Sequence, residues 1–123
     1  MSSVLFVSHD VDLCAAAARV LARAGCRVTV ATHGGHAFLA CVEHGGFDVL
    51  IIENQMPEGS GLGIAARLRR YCPELQVVRI CDDWSAVSSE ETTLVRPFTA
   101  DDLLEAAVDA ADPVQARRGA TIR

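Results

Sequence analysis

The run Val49-Leu50-Ile51-Ile52 limits the possible folds more than any other stretch of the chain. It is wholly apolar, rich in β-branched residues, and closed by Glu53 and then by the turn-forming Met56-Pro57-Glu58-Gly59-Ser60-Gly61. A short apolar run with such boundaries reads as a strand buried on both faces, as in the middle of a parallel sheet. In open sheets of that kind, chemistry sits in the crevice beyond the carboxyl ends of the strands. Glu53 stands at such an end. The plain alternative is a solvated acid at a strand terminus.

Around this run, strand and helix alternate. Ser3 to Val7 is a first strand, and Asp10 can cap a helix to about Ala24 that Gly25 stops. Its apolar residues Leu13, Ala16, Ala17, Val20, Leu21 and Ala24 fall on one helical face. Cys26 to Ala31 is strand two. After Gly34-Gly35 a helix from about His36 to His44 is expected to turn Ala37, Phe38, Cys41 and Val42 inward. A third helix spans roughly Gly61 to Tyr71 with Leu62, Ala65 and Leu68 on its inner side, and Arg67, Arg69 and Arg70 form a solvated basic face near its end. Leu75 to Cys81 is strand four, interrupted by Arg79, and Thr92 to Val95 is strand five. Thr99 caps a last helix whose expected inner face is Leu103, Leu104, Ala107, Val108 and Ala111. Asp112-Pro113 closes it. The segment 113–123 reads as a flexible tail or the start of a linker.

Five strands alternating with helices imply an α/β fold with a parallel sheet covered on both faces. No glycine-rich phosphate loop follows strand one; Ser8-His9-Asp10 stands there instead, which argues against a nucleotide site. The chain's 123 residues are one domain by size. The net charge of -5 gives no basic field for nucleic acid. All 11 basic residues are Arg. No apolar run approaches the ~20 residues of a membrane span, and the N-terminus has no signal-peptide pattern. The five cysteines have no paired metal spacing and fit buried thiols in a reducing cytoplasm.

In order along the chain come Val4-Leu5-Phe6-Val7 before an acidic turn, Asp48-Val49-Leu50-Ile51-Ile52, Met56-Pro57 with Gly59-Ser60-Gly61-Leu62, and Arg96-Pro97-Phe98. Together they resemble the receiver domain of bacterial response regulators, the CheY-like family, over about Ser3 to Ala111. The resemblance implies a flavodoxin-like three-layer sandwich with strand order 2-1-3-4-5. It also implies a receiver-like domain over 1–112 and a place in two-component or phosphorelay signalling, in the cytoplasm and not as an enzyme.

The family's site does not carry over residue by residue. Its phosphoacceptor Asp falls on Glu53. Its Mg²⁺-binding acidic pair falls on Ser8 and His9, with Asp10 one place later. Its Thr or Ser falls on Cys81, its Lys on Arg96 followed by Pro97, and its switch aromatic on Thr93. Mg²⁺ wants oxygen ligands including carboxylates, so Ser8 and His9 are poor substitutes, and Mg²⁺ binding is expected to be weak or absent. No other cofactor is implied. Glu53 also places its carboxylate one methylene farther out than Asp, misaligning it as a nucleophile. The expectation is a degenerate receiver that docks to a protein partner: a histidine kinase, an output domain, another receiver, or a second copy in a homodimer. Glu53 and Arg96 are expected to touch, giving a permanent, partial imitation of the switched-on state. The alternative is a metal or redox sensor built from His9, Cys81 and Glu53.

Asp82 to Glu91 holds ten residues where the family carries its fourth helix, so that helix is expected to be short or absent. Trp84, the only Trp, is either a partner anchor or a cover for exposed core.

Overall fold

The computed structural model describes residues 2–86 and 92–111, together with the backbone of 121–122. Its elements in order are β1 (Ser3–Val7), α1 (Val11–Arg23), β2 (Arg27–Ala31), α2 (Gly34–His44), β3 (Val49–Glu53), β4 (Gln55–Met56), β5 (Gly59–Ser60), α3 (Gly61–Leu68), β6 (Gln76–Cys81), a 3-10 turn (Trp84–Ala86), β7 (Thr92–Val95), α4 (Ala100–Ala111) and β8 (Thr121–Ile122). The main sheet runs β2-β1-β3-β6-β7-β8, all pairs parallel. The five expected strands are therefore present in the expected order, 2-1-3-4-5.

Alternation along the strands sorts the core into two layers. Leu5, Val7, Leu50, Ile52 and Val77 pack with Ala37, Ala40 and Cys41 of α2 and with Ile64, Ala65 and Leu68 of α3. Val4, Phe6, Val49, Ile51, Val78, Ile80 and Leu94 pack with Cys14, Ala17 and Leu21 of α1 and with Leu103, Ala106, Ala107 and Ala110 of α4. Every residue of β3 is buried, as a central strand requires. Each such aliphatic side chain contributes roughly 1.5–3 kcal/mol of hydrophobic burial.

Local chemistry sets the helix ends. Asp10 Oδ1 accepts from Leu13 N–H at 3.1 Å, and Ser60 Oγ accepts from Gly63 N–H at 3.0 Å. Thr99 and Asp102 cap each other reciprocally at 3.1 and 3.0 Å. Gly25, at φ 89°, closes α1: Cys26 N–H donates to Leu21 O and Gly25 N–H to Ala22 O. Gly61 cannot be replaced cheaply, because a Cβ there would collide with the Glu53 carbonyl where the loop folds back on β3.

Several expectations need correction. The helix expected from His36 starts at Gly34, because His33 Nδ1 caps it by accepting from His36 N–H at 3.1 Å. Its inner face is Ala37, Ala40 and Cys41, while Phe38 and Val42 are exposed. Small side chains let α2 lie close to the sheet, and the larger ones turn out. Leu62 and Val108 likewise face outward rather than inward. The expected tail does not stay free at Thr121–Ile122, which pair with Thr93 and Leu94. They cover backbone groups that an edge strand would otherwise expose. The rest of 113–123 lies outside the described residues. In the β6–β7 connection the described part, 82–86, holds a single 3-10 turn, and 87–91 lie outside the described residues. Among the described residues no helix is long and apolar enough to cross a membrane.

Candidate functional site

Parallel strands deliver their ends to one edge of the sheet, and backbone bonds extend the ladder just beyond them. Ser8 N–H donates to Ala31 O at 3.1 Å, Asn54 N–H to Ile80 O at 2.8 Å, and Arg96 N–H to Cys81 O at 2.9 Å. Glu53, Asn54 and Arg96 are thereby held by rigid backbone around one crevice, and Ser8 is held buried against Glu53. It has a volume of about 460 Å³, and its lining includes His9, Glu53, Asp82, Asp83 and Arg96.

Glu53 is the hub. Its side chain is 5% exposed. Oε2 accepts from the Ser8 hydroxyl at 2.6 Å and lies 3.0 Å from His9 Nδ1. Oε1 accepts from Arg96 Nη2. Ser8, itself fully buried, also accepts from Asp10 N–H at 3.0 Å. A buried carboxylate needs such donors, because losing water otherwise costs far more than pairing returns. Arg96 reaches a second acid: Nη1 donates to Asp82 Oδ1 at 3.2 Å. The guanidinium therefore bridges the end of β3 to the β6–β7 connection. The Arg96–Pro97 peptide bond is cis.

Ser8, His9, Glu53 and Arg96 are thus brought together. Asp10 caps α1 and does not line the crevice. Thr93 is fully buried inside β7. Trp84 is half-exposed in the 3-10 turn beside Asp82 and Asp83. Asp83 accepts from both the hydroxyl and the backbone N–H of Ser85, which hold its carboxyl below the usual range.

Cys81 does not join the group. It is 1% exposed and does not line the crevice. Burial pushes its thiol up, outweighing Arg79 and Arg96, so the expected activation by a nearby cation is not what this environment produces. Among the described residues no three His, Cys, Asp or Glu side chains gather in a way that could hold a metal ion.

Two residues here escaped the sequence reading. Asp82 gave no sign of its contact with Arg96. Arg79, 4% exposed, donates from Nη1 to Asn54 Oδ1 at 2.9 Å and steadies the residue after Glu53. Its one available sign was a charge inside an apolar strand.

The response regulator receiver domain profile matches residues 4–108, and the chain belongs to that family. Among curated proteins, none matches the sequence. Similar solved structures include the Vibrio cholerae chemotaxis protein CheY4, at TM-score 0.80 and 22% identity over 89% of this chain and 98% of that one. The receiver domain of the hybrid histidine kinase CckA aligns at TM-score 0.79 and 26% identity over 90% of this chain and 100% of its own. A response regulator receiver domain protein from Clostridium thermocellum aligns at TM-score 0.78 and 21% identity, covering 90% and 94%.

Proposed function

We propose that this receiver signals by docking to a protein partner, in a state held by the Glu53–Arg96 clasp rather than by phosphorylation of an Asp. The observation that carries this is the satisfied carboxylate of Glu53: Ser8 and His9 hold one oxygen and Arg96 holds the other. A carboxylate so engaged is a poor nucleophile toward a phosphoryl donor, since the contacts draw charge from both oxygens and fix their direction. The same contact places an anion beyond β3 against the cation after β7, the pairing that a phosphoryl group makes when it biases a two-state loop. One carboxylate charge is less than the roughly two of a phosphate, so the imitation is partial. Thr93, buried and small, removes the aromatic readout that the family resemblance implies.

The donor set also supports indifference to Mg²⁺. The ion asks for near-octahedral oxygen donors. A serine hydroxyl already donating to Glu53, an imidazole and a carboxylate bound on both oxygens do not fit it.

The partner classes this reading admits are a histidine kinase, an output domain or another receiver. The test is Glu53→Gln, assayed for folding and for partner capture from the native host. Weakened capture by a folded variant supports a held signalling state. Unchanged capture with reduced stability would make the pair a structural clasp alone.

A further inference from the structure

The outer surface of the chain carries two faces that match each other in charge and in exposed apolar groups. On α2 and the turn after α3, Leu39, Val42 and Tyr71 are 54, 55 and 53% exposed. Phe38 stands edge-on to Tyr71 at 5.0 Å between ring centres and joins the two elements into one surface. Arg67 lines a hollow together with Phe38 and the acid Glu58, and Arg70, the chain neighbour of Tyr71, is exposed. Glu43 stands on the side of α2 turned away from α3, by helical position. A surface helix normally turns a polar face to water, so an outer face of Phe38, Leu39 and Val42 calls for a cover.

On α4, Asp101, Glu105 and Val108 follow at i, i+4 and i+7, so they share one outward stripe. The two acids are exposed, and Val108 is 64% exposed. The helix Ala100–Ala111 contains four acidic residues, Asp101, Asp102, Glu105 and Asp109, and no basic one. This stripe offers carboxylates to arginines and an aliphatic group to an aliphatic surface.

The two faces lie on opposite sides of the sheet, since α2 and α3 pack on one core layer and α4 on the other. They cannot meet within one molecule. We propose that copies of this chain associate head to tail, the α4 stripe of one seated on the α2/α3 face of the next. A contact between two different faces is heterologous, so it builds a ring or an open stack rather than a two-fold dimer. None of the crevice residues takes part, so this association does not depend on the reading of Glu53.

The experiment is sedimentation velocity on the full chain between about 1 μM and about 500 μM, a range that reaches weak contacts. The average mass should rise with concentration past that of a dimer. It should fall on going from about 0.05 M to about 0.5 M salt, because exposed charges are screened. Arg70→Glu and the double variant Asp101→Asn/Glu105→Gln should each weaken association at least tenfold while keeping wild-type circular dichroism and melting temperature. The two weakened variants, mixed in equal amounts, should then form a one-to-one pair and nothing larger, since each retains the face the other lacks. Should either variant lose its fold, Val42→Ser and Val108→Ser replace it in the same mixing experiment. A chain that stays monomeric across the range at low salt overturns the proposal. So does a dimer that survives in both variants, or a mixture that fails to pair.

Discussion

Glu53 and Asp82 are both carboxylates on Arg96, yet their surroundings make them unequal partners. Glu53 has a side chain 5% exposed and takes further contacts from Ser8 and His9. Asp82 has a side chain 81% exposed and reaches Arg96 at 3.2 Å. Water competes freely for Asp82 and barely at all for Glu53. An exposed ion pair is typically worth about 0–1 kcal/mol, whereas removing one partner of a buried pair costs about 3–5 kcal/mol. The same guanidinium thus holds one acid firmly and only steers the other. The contact at the end of β3 is buried, and the acidic turn carrying Trp84 is tied to it through an exposed one.

The sharpest way to break this comparison is to remove the shared cation. Arg96→Ala leaves Glu53 buried with Ser8 and His9 as its remaining partners, and is expected to lower stability by about 3 kcal/mol at neutral pH. Urea unfolding of the variant beside the wild type reads it directly. A loss below about 1 kcal/mol would mean that water reaches Glu53 once Arg96 is gone. Glu53→Gln should cost less, about 1–2 kcal/mol. The amide oxygen still accepts from a neighbour, and Arg96, with a side chain 32% exposed, is rehydrated rather than stranded.

Glu53 was legible from sequence because strand ends in a parallel sheet must converge, and its pairing with Arg96 because the resemblance to receiver domains implied it. Once Val49–Ile52 is a central strand, the residue after it must stand at the edge of the sheet where the other strands also end. Asp82 was not legible, because its position depends on the path of an irregular connection, which local propensity does not determine. The helix faces failed for a different reason. Hydropathy placed Phe38, Val42, Leu62 and Val108 inside, but close packing against the sheet selected Ala40, Ala106 and Ala110, which the pattern had not singled out. Pattern reading assumes that the largest apolar groups are buried. Here several of them stand outside, on the surfaces assigned above to contact between copies.

Asp82→Asn gives the next smaller effect. It removes a charge that is 81% exposed on its side chain, and the change in stability should stay within about 0.5 kcal/mol. The informative outcome is a comparison of Arg96→Ala in the wild-type and Asp82→Asn backgrounds. If the costs add within about 0.5 kcal/mol, the two acids act on Arg96 independently. A larger coupling would promote Asp82 to a member of the buried network and erase the contrast with Glu53.

The smallest expected effect is that of Mg²⁺. A ligand stabilises the fold by RT ln(1 + [L]/Kd), so a site that binds the ion at submillimolar Kd would show a clear rise in melting temperature at about 10 mM. Asp82 and Asp83 are the exposed carboxylates of the crevice, but Asp82 is turned to Arg96, and Asp83 is bonded to Ser85. Glu53 has both oxygens occupied, and drawing it to a cation would require breaking its contact with Arg96. The ion would therefore have to displace a guanidinium already in place to gain a site that lacks a second free carboxylate. The expected shift is indistinguishable from that given by the same ionic strength of NaCl. A specific rise would show that Glu53 is released from Arg96 more readily than its burial implies, and it would remove the basis for treating the clasp as permanent. The Arg96→Ala variant supplies the control: with the competing cation removed, any latent affinity of Glu53 for Mg²⁺ should appear there first.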